Sequence, residues 1–251
     1  MLILKLTLVP LALLVFGIVE RLHGPRVAGW LAGFPIVAGP ILLLLALDRG
    51  SDFTADAALG GYFGLVPWLA FTACYARCSR RWPWPLAALV GFTLWTAAAL
   101  AMIWLEVGPR WLEMLPVLVL AAAILFYPRG EPSDEELEHI WWGLPARMLA
   151  GAALTLLITH FAERMGTRWA GVFTTFPVMG SIVAISSHIE HGRHAVQEAV
   201  AGMTTGLVSI AVFCFAVYGL LGRLEVWPAF GLALAASCAT HALTWLMFKR
   251  R

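Results

Sequence analysis

The chain has 251 residues, 61% of them hydrophobic and 13% charged, with a mean hydropathy of +0.82 and a formal net charge of +2. A soluble domain carries about 25% charged residues to cover its surface, so the composition excludes a water-exposed globule and leaves an all-α integral membrane protein. The near-neutral charge holds no signal for nucleic acid, because the 15 Arg and 2 Lys sit between apolar stretches where membrane topology accounts for them.

A bilayer span takes about 20 mostly apolar residues, and nine candidate stretches follow one another along the chain. The first, 2–19, begins around Lys5 and has no small-residue cleavage site before Glu20, so it reads as a retained span rather than a removed signal peptide. The second, 27–47, is interrupted by Phe34-Pro35 and loosened further by Gly29, Gly33, Gly39 and Pro40. Proline removes a backbone donor and clashes with the preceding turn. The third, 57–76, contains Gly60-x-x-x-Gly64, the spacing that lets helices approach closely. The fourth covers 84–105, and the fifth, 112–127, is the shortest.

The connection over 128–147 is acidic, with Glu131, Asp134, Glu135, Glu136 and Glu138. Ser133 and Glu136 have capping-box spacing. Leu137, Ile140, Trp141 and Leu144 then form one apolar stripe, so a short interfacial helix anchored by Trp141 and Trp142 is expected here. The remaining spans are 146–162, 169–189, 196–220 and 227–248. The seventh carries Phe176-Pro177 among Gly171, Thr174, Thr175, Gly180 and Ser181, and the eighth carries Gly202-x-x-x-Gly206. Enzyme motifs are missing and no cofactor is implied, so the chain is expected not to be an enzyme.

An internal repeat orders these spans. Residues 26–76 align without a gap on 168–218 at a constant offset, 168 − 26 = 142. Arg26 falls on Arg168, Ala28-Gly29 on Ala170-Gly171, Phe34-Pro35 on Phe176-Pro177, and Gly50, Gly60 and Gly64 on Gly192, Gly202 and Gly206. Asp48 and Asp56 fall on Glu190 and Glu198, and with one residue of shift Glu20-Arg21 falls on Glu163-Arg164. Helices 1–4 thus correspond to helices 6–9. The organisation predicted is 4+1+4: a first four-helix repeat over 1–106, a linking segment over 107–145 holding helix 5 and the acidic helix, and a second repeat over 146–251. If helix 5 spans, the second repeat enters inverted.

Charge counting agrees with that plan. The 1–2, 3–4, 5–6 and 7–8 connections and the C-terminus hold eleven basic residues, against six on the N-terminal side, which predicts N-out and C-in by the positive-inside rule.

Broken helices at matched positions in two repeats point to a substrate site near the membrane midplane. The candidate binding residues are therefore Phe34, Pro35, Gly39, Thr174, Thr175, Phe176, Pro177, Gly180 and Ser181. Arg26 and Arg168 open the two broken helices and are placed to receive an anionic headgroup. His241 is the clearest deep ionisable residue, with His160 nearer a helix end. No buried carboxylate stands out, which favours a neutral or amphipathic substrate over simple proton antiport. His188, His191 and His194 with Glu190 resemble a metal cluster, but the first repeat has Ala46, Arg49 and Asp52 at those positions, so no metal is expected. Cys74, Cys78, Cys214 and Cys238 read as small apolar residues in helices.

Each half resembles the small four-helix bacterial inner-membrane proteins of the GlpM-like group, through Ala170-Gly171 to Phe176-Pro177, the acidic loop, and Gly202 to Gly206. That resemblance implies an inner-membrane location and a link to exopolysaccharide production. The plan is also similar to that of the inverted-repeat drug/metabolite transporters, although those count five plus five helices. The expectation is an inner-membrane transporter or flippase-like carrier of a small, amphipathic or lipid-linked substrate, with its site between helices 2 and 7. The alternative is a non-transporting component of an envelope or exopolysaccharide assembly machine. The expected partners are the lipid bilayer, the substrate, and a second copy or an envelope complex.

Overall fold

The computed structural model describes residues 2–104, 113–126, 143–165 and 176–249. All regular structure among them is helical. In chain order the helices are α1 (Leu2–His23), α2 (Pro25–Ala32), α3 (Ala38–Arg49), α4 (Ser51–Phe63), α5 (Leu65–Ser79), α6 (Trp84–Trp104), α7 (Leu115–Phe126), α8 (Gly143–Met165), α9 (Val178–Leu221) and α10 (Val226–Lys249).

Four segments are long and apolar enough to cross a membrane by length and composition: Ser51–Ser79, Trp84–Trp104, Val178–Leu221 and Val226–Leu246. The count of nine spans is thus matched by clear spans in four places. The second span, expected over 27–47 with a break at Phe34-Pro35, is divided there between α2 and α3, and the described helix of the fifth is the 12 residues of α7. At 1.5 Å per residue α7 covers about 18 Å, less than the roughly 30 Å of a hydrocarbon core. The acidic interfacial helix and the start of the seventh span fall outside the described residues.

Two connections that the sequence pattern reads as loops are each compressed into one glycine. Gly50 separates α3 from α4 with φ 88° and ψ 174°, and Gly192 breaks the 44-residue α9 with φ 78° and ψ −165°. These lie 192 − 50 = 142 residues apart. Only glycine tolerates that backbone region at low cost, so the helix bends there without a loop. Helix resumes at Ser51 and at Arg193, several residues before the hydropathy pattern places it.

The kinked α9 is the centre of the bundle, packing against α1, α2, α4, α5, α6, α7, α8 and α10. Its tightest partner is α2. A Cβ on Gly29 would collide with the Ala199 carbonyl, one on Gly202 with the Arg26 carbonyl, and one on Gly206 with the Trp30 carbonyl. The two backbones run parallel in direct contact, as small residues one turn apart allow. Around this seam lie two apolar clusters, one built on Phe16, Phe71, Tyr75 and Met203, the other on Leu42, Leu65, Leu207 and Phe213. The outer helices turn apolar side chains outward: Leu86, Leu89 and Trp104 on α6, and Trp227, Leu232 and Leu243 on α10 are all exposed. Such surface suits lipid tails and fits a membrane protein.

Gly202→Ala and Gly206→Ala are expected each to destabilise the fold by about 1–3 kcal/mol through backbone overpacking. Gly219→Ala, with open space at its Cβ, is expected to be neutral or stabilising by up to about 1 kcal/mol. Thermal unfolding in detergent checks both.

Candidate functional site

The two Phe-Pro pairs adopt the same backbone geometry. In the first, Ile36 N–H donates to the Phe34 carbonyl at 2.8 Å and Gly39 N–H to the Pro35 carbonyl at 3.0 Å. In the second, Val178 N–H donates to the Phe176 carbonyl at 2.7 Å and Ser181 N–H to the Pro177 carbonyl at 2.7 Å. Each bond of one copy has its counterpart 142 residues away. The three-residue turn centred on proline, with Pro177 at φ −75° and ψ 51°, is the inverse γ-turn geometry. In the first copy it lies between α2 and α3, and in the second it immediately precedes α9, pairing the local backbone groups in both.

The breaks meet at a cavity of about 30 Å³, room for roughly one or two waters. Its walls are largely pairs of residues related by the repeat: Phe34 with Phe176, Ile36 with Val178, Val37 with Met179, and Trp68 with Ile210. The cavity therefore lies where the two repeats face each other. Trp68 supplies its polar handle, since its indole Nε1 is buried without a hydrogen-bond partner and lies over Gly180, where a Cβ would touch it at 3.0 Å. Tryptophan occurs twelve times in the chain, and nothing in the local pattern around Trp68 singled it out. The repeat offset to Ile210, a position in the opposite wall, is the signal that finds it.

The other candidates divide around this cavity. Ser181 is buried and bonds the Val178 carbonyl of its own turn at 3.1 Å. Gly39 faces the Phe213 ring. His241 sits behind Phe34, with ring centroids 5.1 Å apart, and stacks on Trp30 at 3.8 Å. Its Nδ1 shares a 3.0 Å hydrogen bond with Ser209 Oγ, which also donates to the carbonyls of Gly33 and Gly206. This histidine thus braces the α2–α9 seam from α10. Arg26 pairs with Glu198 at 3.7 Å on the same seam. Tyr62 donates to the Glu113 carbonyl, and Thr204 and Thr205 to carbonyls of their own helix. Thr174, Thr175 and Arg168 lie outside the described residues, as does the side chain of His160.

The expectation that no carboxylate is buried is overturned. Glu20 is 2% exposed. It accepts from Arg147, whose other terminal nitrogen lies 2.8 Å from Glu190 Oε2, and from Ser187 Oγ at 2.6 Å. His191 Nε2 stands 4.0 Å from its second oxygen. Glu20 and Glu190 read in sequence as residues at span ends. Burial comes from the start of α8, which lays Gly143 and Arg147 across them, and a Cβ on Gly143 would strike the Glu190 carboxylate. The three clustered histidines diverge: His188 bonds Tyr75 at 3.1 Å, His191 faces Glu20, and His194 is exposed.

The same face also gathers the turn after α5, where Arg80 bonds Gln197 and Arg193 donates to the Arg80 carbonyl. Chain ends near residues 20, 80, 147 and 190 thus share one side of the bundle.

Comparison with known protein families, curated proteins and solved structures returns no match.

Arg147→Ala leaves two buried carboxylates without a counter-charge and is expected to cost about 3–5 kcal/mol. Arg147→Lys, which keeps the charge but loses the two-pronged geometry, is expected to cost less. Thermal unfolding of both variants in detergent gives the comparison.

Proposed function

We propose that the chain is a membrane carrier, a transporter or flippase-like protein for a small, amphipathic or lipid-linked substrate, and that the cavity between the two Phe-Pro breaks is its binding site. The observation that carries this reading is the set of repeat-related residue pairs around one cavity. A site shared by both repeats can be opened from either side by rocking one repeat against the other. At about 30 Å³ the cavity holds no substrate-sized molecule, so loading requires the Phe34 and Phe176 breaks to part. Apolar walls with one unpartnered indole N–H suit a largely apolar molecule with a hydrogen-bond acceptor.

The 4+1+4 arrangement with inverted repeats belongs to the same proposal. It is supported by α1 and α8, the first helices of the two repeats, which lie antiparallel: the end of α1 at Glu20 meets the start of α8 at Arg147, while Val9 and Leu13 lie against Gly151. Related helices that run in opposite directions are what an inverted repeat produces. The basic-residue count then sets the gathered face as cytoplasmic in a bacterial inner membrane. The inversion requires helix 5 to span, and the 12 residues of α7 are its described helical part. The GlpM-like resemblance of each half fits a plan in which one module was duplicated.

Proteoliposomes loaded with fluorescent lipid and with a panel of amphipathic solutes test the carrier. Flux is expected from the intact protein and is lost when Pro35 and Pro177 are both replaced by alanine. Trp68→Phe is expected to weaken apparent affinity about five- to tenfold for substrates bearing an acceptor, the worth of one buried hydrogen bond, and to leave pure hydrocarbons unaffected. Absence of flux together with co-purification of a polysaccharide synthase would instead assign the chain to an assembly machine. Topology reporters fused at the 2–3 and 7–8 connections test the inversion, and identical readings from both would refute it.

A further inference from the structure

The buried cluster on the gathered face contains unequal charges. Glu20, Arg147, Glu190 and His191 have side chains 1%, 7%, 9% and 7% exposed. Two carboxylates share one guanidinium, so among the described residues, with His191 neutral, the cluster holds one surplus negative charge. Burying an unbalanced charge is costly, and proteins relieve it by pairing or by taking up a proton. One ring nitrogen of His191, Nε2, faces Glu20, while the other, Nδ1, is buried without a partner. We propose that this cluster is a proton-binding latch: one proton taken up at His191 balances the charge and seals this face of the protein, and its release unseals it.

The step is a simple proton transfer. A proton from the aqueous face adds to the Nδ1 lone pair, Nε2–H stays directed at Glu20, and the imidazolium completes two positive charges against two negative ones. Histidine is the side chain whose ordinary titration falls in the physiological range. Among the described residues, the other ionisable groups nearby are engaged elsewhere or exposed. His188 is held by Tyr75 on α5, Arg193 reaches the Arg80 carbonyl, Arg80 bonds Gln197, and Arg21 and His23 at the end of α1 are exposed. The cluster sits beside the bend in α9. Glu190 and His191 immediately precede Gly192, the positive-φ residue at which α9 changes direction, while Glu20 and Arg147 belong to α1 and α8. Sealing thus ties α1, α8 and the first half of α9 together immediately before that bend.

The repeat places a second acid–base set at the corresponding positions: Lys5 lies 147 − 5 = 142 residues before Arg147, Asp48 lies 190 − 48 = 142 before Glu190, and Glu163 falls on Glu20. Asp48 is exposed where its mate Glu190 is covered, so this one related pair of acids differs in burial. The latch rests on the carrier reading for its purpose and not for its measurement.

Spin labels on L22C and W82C, both exposed positions at the rim of this face, report its opening in a background with the four native cysteines replaced by alanine. Pulsed EPR in nanodiscs is recorded from about pH 5 to about pH 8 without sodium. The distance distribution of the parent protein is expected to move to longer values as pH rises. Glu20→Gln removes the surplus charge and is expected to hold the short distance throughout, while His191→Gln is expected to abolish the pH response. A parent distribution that ignores pH overturns the latch, as does either variant responding like the parent, or a shift driven by sodium at fixed pH. Because no substrate is present, a pH-driven distance change without flux would sink the carrier reading alone, and flux without a distance change would sink the latch alone.

Discussion

The close contact between α2 and α9 is the constraint from which the rest of the architecture follows. Glycines at positions 29, 33, 202 and 206 let two backbones touch, and in a lipid-facing bundle such contact supplies van der Waals packing that the hydrophobic effect does not. Parallel seating of α2 on the second half of α9 carries the chain directly to Gly33, where α2 has ended. The Phe34-Pro35 break therefore lands beside the bundle axis, opposite Phe176. Ser209 clamps this join by donating to the Gly33 carbonyl, and His241 and Trp30 brace it from α10. Without the seam there would be no fixed place for the two breaks to meet.

Breaking a helix inside a membrane exposes backbone groups that lipid cannot satisfy. The chain answers this by making the break very short. Each Phe-Pro pair closes a tight turn and re-enters helix within a few residues, so few carbonyls are left open. The same economy governs Gly50 and Gly192, where one residue with positive φ replaces a loop. Both devices recur at an interval of 142, so the duplicated sequence is also duplicated local geometry. The cavity between the breaks is apolar because its walls are the side chains that flank these turns.

On the gathered face, charge is held in a buried network. Around α9 the covered side concentrates Glu20, Arg147, Glu190 and His191 in one network, stabilised by charge-assisted hydrogen bonds that low dielectric strengthens. Such a network holds its partners firmly while paired and becomes unfavourable when one charge is missing. That property ties the packing of α1, α8 and α9 to the charges their side chains carry.

Much of this was legible along the chain. Membrane class follows from composition alone, since no soluble surface can be made from so few charges. The repeat is legible because glycine and proline mark backbone requirements that recur wherever the geometry recurs, which is why Phe34-Pro35 and Phe176-Pro177 could be singled out. The glycine pairs announced close packing but not their partners. What only the tertiary structure decided was which distant residues share a place. Glu20 reads as an ordinary helix-end charge until α8 covers it, and Trp68 as one tryptophan of many until Gly180 and the two breaks enclose it. Burial of a charge or an indole depends on neighbours more than a hundred residues away. Local pattern records what each segment of backbone needs, whereas the environment of a side chain is a property of the assembled bundle.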